Sequence, residues 1–282
     1  DTVTEVLPRA FERNKVVTSV SFADAEKFTI GSQAFYNCAQ LASVSLPAGL
    51  GEIANNMFES CLKLTEVTIP YTVATIQNKA FYFCKNLSTV NFAPTPAGKT
   101  PVSLVVAAAS GSLYSPFSAC PSVKTITFPE RTTVIGKYAF GNSGPYQGIE
   151  SVSLPSTLTQ IGDNAFYYAA ALTSVQFPSS TNLVSIGKNA FSGCHTLKDF
   201  GLPNSTQSYT IGSSAFSNCA LTSLTIPACV SKIDSSAFDS CYCLKSVTFG
   251  ENFKGAALTM GTSVFARTGI TSITLPEGIT SI

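Results

Sequence analysis

The phrase Ile-Gly-x-x-Ala-Phe-x-x-Cys, followed by Leu-x-x-Val-x-Leu-Pro, recurs along almost the whole chain. Ile30 to Cys38 returns as Ile186 to Cys194. Eleven phenylalanines hold the anchor position: Phe11, Phe35, Phe58, Phe81, Phe117, Phe140, Phe166, Phe191, Phe216, Phe238 and Phe265. They are mostly 22 to 27 residues apart, with one step of 36. A fixed period in this range marks a solenoid, in which each unit buries its apolar face only against its neighbours. The expected fold class is an α/β repeat solenoid: one array of about eleven repeats over residues 1–282, with an insertion at 93–116.

Each repeat has two legs. In the strand leg, Leu41-x-x-Val44-x-Leu46 or Leu172-x-x-Val175-x-Phe177, alternation turns the apolar side chains inward and the intervening residues outward. Stacked repeats set these strands side by side as a parallel sheet on one face, and the proline that usually follows (Pro47, Pro70, Pro155) ends each strand. In the second leg, the glycine after isoleucine suits a sharp corner, and Ala-Phe reads as one turn of helix. The phenylalanine fills the interior between layers.

Spacing shows where the array accepts extra chain. From the last strand residue to the next anchor is usually 12 residues, but 25 across Ala93 to Pro116, a stretch rich in Pro, Ala, Gly and Ser. Insertions confined to one side of a coil are where recognition loops are often built.

Seven of the nine cysteines sit three residues after an anchor, where other repeats carry Asn14, Ser143, Ala169 or Thr268. That column selects small size and reads as buried free thiols. Cys229 and Cys243 fall off it and are the more reactive candidates. His195, the only histidine, reads as a solvated turn residue. Phosphate-loop, nucleophile-elbow and metalloprotease motifs are all missing. The sequence therefore predicts no enzyme, no catalytic residues, no metal site and no cofactor.

Charged residues make up only 12%, and the formal net charge is +1. This leaves no basic field for nucleic acid. No apolar run is long enough to insert in a membrane. The chain opens at Asp1 and stops where the next repeat's isoleucine would follow, so it reads as a mature or trimmed piece.

The outward strand positions remain: Ser43 and Ser45, Glu66 and Thr68, Thr89 and Asn91, Thr125 and Thr127, Ser151 and Ser153, Ser174 and Gln176. Stacked, they form two lanes of mostly hydroxyl side chains. Together with Lys99 and Tyr114 of the insertion, they are the candidate ligand surface.

The unit Leu-x-x-Val-x-Leu-Pro…Ile-Gly-x-x-Ala-Phe-x-x-Cys resembles the BspA-type (Treponema pallidum-like) leucine-rich repeats, from about Val6 to Ile282. The resemblance implies a leucine-rich-repeat superhelix with a parallel β-sheet on one face and short helical turns or loops opposite. It implies an adhesin-like, non-catalytic module, secreted or at the cell surface of a host-associated bacterium. Its partner would be an extracellular protein, from host matrix or another bacterial surface. A glycan bound along the hydroxyl lanes, or a spacer displaying another domain, are the alternatives.

Overall fold

The computed structural model describes residues 3–23, 25–106, 115–141, 148–250, 253, 257–277 and 279. Both legs of the repeat form short parallel strands. The Val-x-Leu legs pair in four blocks: Ser19–Ser21 with Ser43–Ser45, Glu66–Ile69 with Thr89–Phe92, Thr125–Thr127 with Ser151–Ser153 and Ser174–Gln176, and Ser223–Ile226 with Ser246–Phe249. The Ile-Gly legs pair further. Eight of them, together with Leu104–Val106 of the insertion, make one nine-stranded parallel sheet from Glu52–Ile53 to Thr259–Met260, and Glu5–Val6 pairs with Thr29–Ile30 at the N-terminal end.

The expectation of a sheet on one face is thus corrected: strands line two faces, and the longer sheet runs on the leg taken for a corner. One break in the Val-x-Leu face falls at a change of side chain. At residues 197–202 no strand forms. There Phe200 takes the inward place that Val175 and Leu224 hold elsewhere, with its ring 5.0 Å from Phe191 and 4.8 Å from Phe216. The larger ring coincides here with the loss of backbone pairing.

The expected helical turn is also corrected, because no helix occurs among the described residues. The anchor phrase folds as consecutive β-turns instead. Ala34, Tyr36 and Cys38 donate their N–H groups to carbonyls three residues back, at 3.0–3.2 Å. Gln33, Phe35 and Asn37 donate across to Asn55, Met57 and Glu59 of the next coil, at 2.7–3.0 Å. Every second donor therefore leaves the coil, which no helix permits. This alternation requires left-handed backbone. Among the described residues, all nineteen non-glycine residues with positive φ, from 52° to 62°, sit two positions before or after an anchor phenylalanine. That is where a turn with φ above zero at its third residue places them.

The glycine after isoleucine serves close approach rather than left-handed freedom. A Cβ on Gly187 would lie 2.5 Å from the Asp163 nitrogen, and one on Gly212 would lie 2.7 Å from the Gly187 carbonyl carbon. These backbones pack against each other directly.

Inside, the anchors stack as one column. Each of the ten successive ring pairs from Phe11 to Phe265 has centroids 5.0–5.8 Å apart and planes within 17°. Phe81 and Phe117 stack at 5.3 Å although 36 residues separate them, so the insertion leaves the core column whole.

Beside it runs the cysteine column, with all nine thiols free. Cys84 and Cys120 donate S–H to the carbonyls of Phe58 and Phe81, each at 3.0 Å, and Cys38, Cys61, Cys194, Cys219 and Cys241 do the same one coil back. The column selects small size, as expected, and in these seven repeats a donor as well. Burial pushes the thiols of Cys38, Cys61, Cys84, Cys120, Cys219 and Cys241 up, Cys120 and Cys241 to about 12. They are protonated packing groups.

Candidate interaction surface

The outward strand residues lie where alternation places them. In Glu66–Ile69, Glu66 and Thr68 are exposed while Val67 and Ile69 are buried. Parallel register then aligns like positions. Thr125, Ser151 and Ser174 stand side by side, as do Thr127, Ser153 and Gln176. Ser43 and Ser45 align with Ser19 and Ser21, and Glu66 and Thr68 with Thr89 and Asn91. Ser153 donates to Gln176 Oε1 at 3.1 Å, and Thr225 and Thr248 share a 2.9 Å bond across their strands. The lanes exist, but as separate blocks of two or three strands.

The insertion decides which lane residues come together in a concavity. After Phe92 the chain leaves the coil, and it rejoins the long sheet at Leu104–Val106, between Thr75–Ile76 and Thr132–Ile135. Along its base lies an apolar cleft of about 710 Å3, walled by Phe92, Ala93, Pro94, Pro101 and Pro129. A neighbouring depression of about 420 Å3 shares Phe92 and Pro129 and is lined by Thr89, Asn91, Thr125 and Thr127. A third, about 290 Å3, shares Ala93 and includes Ser45 and Thr68. Lys99 of the insertion borders a fourth with Tyr71 and Thr72.

Seven of the sequence-predicted residues therefore line one connected rim. Ser43, Glu66, Ser151, Ser153, Ser174 and Gln176 line none of these hollows, and Tyr114 lies outside the described residues.

Arg131 was not legible as part of this region. It is 7% exposed. Its guanidinium donates to the carbonyls of Val73 (2.7 Å), Pro70 (3.0 Å) and Val102 (3.2 Å), joining the coil before the insertion to the insertion itself. At regular corners a hydroxyl does this work: Thr72 bonds the carbonyls of Ala48 and Leu50, and Ser205 those of Thr181 and Leu183. Where the insertion displaces that hydroxyl, a long cation reaches over from the following coil. Burial lowers the Arg131 pKa.

The turn edge carries a different surface. Tyr168, 44% exposed, lies against Gly193, where a Cβ would meet its ring at 3.0 Å. Tyr167 and exposed His195 contact its ring at 4.6 and 5.8 Å. Cys243 is exposed and Cys229 half-buried, the only two cysteines not fully buried. No group of three or more His, Cys, Asp or Glu is placed to hold a metal among the described residues. No helix there is long and apolar enough to cross a membrane.

The model of the BspA type leucine rich repeat region matches residues 1–97, 114–209 and 171–282, in six copies. Among solved structures, a leucine-rich repeat protein from Bacteroides ovatus is 18% identical with a TM-score of 0.59, over 99% of this chain and 78% of that one. A leucine rich cell surface protein from Faecalibacterium prausnitzii is 23% identical with a TM-score of 0.42, over 90% of this chain and 85% of that one. The pneumococcal vaccine antigen PcpA is 19% identical with a TM-score of 0.47, over 96% and 73%. The Bacteroides likeness shows a shared fold. No curated protein matches the chain.

Proposed function

Because the chain belongs to the BspA type leucine rich repeat family, we propose that it is a non-catalytic, adhesin-like module, secreted or at the cell surface, that binds an extracellular protein. The observation that carries this reading is the connected rim where the insertion meets the strand lanes. Ser45, Thr68, Thr89, Asn91, Thr125, Thr127 and Lys99 all border it. The core beside it is sealed by stacked rings and protonated thiols, which suit packing rather than chemistry.

Protein interfaces pair an apolar centre with a polar rim, and Phe92 and Pro129 beside Thr89, Asn91, Thr125 and Thr127 in the shallower depression offer both. The test is capture of a partner from extracellular-matrix and bacterial surface preparations, followed by Asn91→Arg with Thr127→Arg. Loss of the captured protein with unchanged melting supports the reading, and retained capture removes this rim as the site. A glycan ligand is the second reading, favoured by the in-register lane Thr125, Ser151 and Ser174. A glycan array without hits removes it.

A further inference from the structure

We propose that the apolar cleft at the base of the insertion binds an aliphatic monocarboxylate, a site distinct in chemistry from the protein-binding rim. Its volume, about 710 Å3, falls in the range of small-molecule sites, roughly 300–1,000 Å3. Phe92, Ala93, Pro94, Pro101 and Pro129 offer hydrocarbon rather than polar groups, so an alkyl chain gains by leaving water there.

The anionic end is argued from Arg131, which forms part of the lining and is 7% exposed. Its terminal nitrogens meet only neutral carbonyls, its Nε has no partner, and no carboxylate among the described residues pairs with it. Glu130 also lines the cleft, but its carboxylate is engaged by the Ser156 hydroxyl at 2.6 Å and the Ser156 nitrogen at 3.2 Å. A buried cation without a counter-charge favours an anion brought beside it. Apolar walls lower the screening between the two.

The same lining argues against a peptide. The hydroxyls of Ser103 and Thr133 bond each other at 2.7 Å, and Thr157 gives its hydroxyl to the Glu130 and Thr132 carbonyls. Apart from the Thr95 hydroxyl, peptide amides entering here would lose water without finding side-chain partners, at a cost of about 1–3 kcal/mol each. An alkyl chain has no such groups to leave unsatisfied.

The probes are decanoate, decan-1-ol and a short apolar peptide with a free C-terminal carboxylate, each titrated calorimetrically into the intact protein. The proposal predicts saturable one-to-one binding of decanoate, weakened roughly tenfold or more for the alcohol, which lacks the charge. Ala93→Phe, which fills the cleft while leaving the Arg131 side chain unaltered in sequence, abolishes decanoate binding while the melting temperature holds. Equal binding of alcohol and carboxylate, undiminished binding to Ala93→Phe, or no binding by decanoate overturns the proposal. Tighter binding of the peptide also overturns it and assigns the cleft to a protein terminus.

Discussion

Replacing Phe166 by alanine should be among the most damaging single changes in this protein. Its ring is fully buried and stacks at 5.2 Å on Phe140 and at 5.0 Å on Phe191, with planes 8° and 5° apart. Removing a buried phenylalanine costs about 3–5 kcal/mol. Each stacked pair adds roughly 0.5–1.5 kcal/mol beyond burial, and two are lost. Phe11 supplies the control. It is 39% exposed and stacks on Phe35 alone, at 5.2 Å, so Phe11→Ala should cost only about 1–2 kcal/mol, the transfer of a part-buried side chain. Urea unfolding followed by far-ultraviolet circular dichroism reads both. Because each coil touches only its neighbours, the central variant should also reduce cooperativity, seen as a lower m-value or two transitions. Equal costs at the two positions, or a Phe166→Ala cost below about 1 kcal/mol, would refute the column as the main source of stability.

Further outcomes follow from the same geometry. A thiol-specific reagent under native conditions should titrate Cys243 quickly and Cys229 slowly, and leave the seven column cysteines untouched until unfolding; rapid reaction of more than two thiols contradicts the packing. In the column, Cys38, Cys61, Cys84, Cys120, Cys219 and Cys241 have folded pKa values raised by burial above the ordinary value of about 8.5. Their contribution to stability is therefore complete below about pH 8.5 and is lost as pH rises through the range toward 12, which stability measured against pH will show. Arg131→Met should destabilise by about 2–4 kcal/mol by stranding the Pro70, Val73 and Val102 carbonyls. Limited proteolysis of that variant should cut first within 93–106, and Arg131→Lys should not rescue it, since lysine lacks the fork. Gly187→Ala should cost about 1–3 kcal/mol by overpacking against Asp163. By contrast, Ala119→Gly should be neutral or stabilising in thermal melts, because Ala119 holds a φ of 55°.

What the sequence revealed and what it hid have separable causes. The phenylalanine and cysteine columns were legible because they recur at a fixed phase, and interior coils repeat the same buried environment. The Ala-Phe turn was misread as helix because bonds such as Ala34 to Gly31 and Tyr36 to Gln33 span three residues, close to a helical spacing. The deciding bonds, Phe35 to Met57 and Asn37 to Glu59, reach 22 residues ahead and leave no local trace. The second, longer sheet on the Ile-Gly leg left no sign in the sequence because strands of two residues, such as Gln160–Ile161, are too short to show alternation. Arg131 looked like any charged loop residue. Its role depends on carbonyls 29 to 61 positions earlier. Among the candidate surface residues, alternation separated outward from inward positions, although Ser151, Ser153 and Ser174 are half-buried, while the insertion determined which of them meet.

The central functional claim is that recognition uses the rim beside the insertion rather than the repeat's conspicuous core. Hydrogen–deuterium exchange of the protein with and without its captured partner tests it most directly. Protection should appear across 88–103 and 125–131, with the turn edge around Tyr168 and His195 unchanged. Protection confined to that turn edge, or to the long sheet on the Ile-Gly leg, would contradict the account.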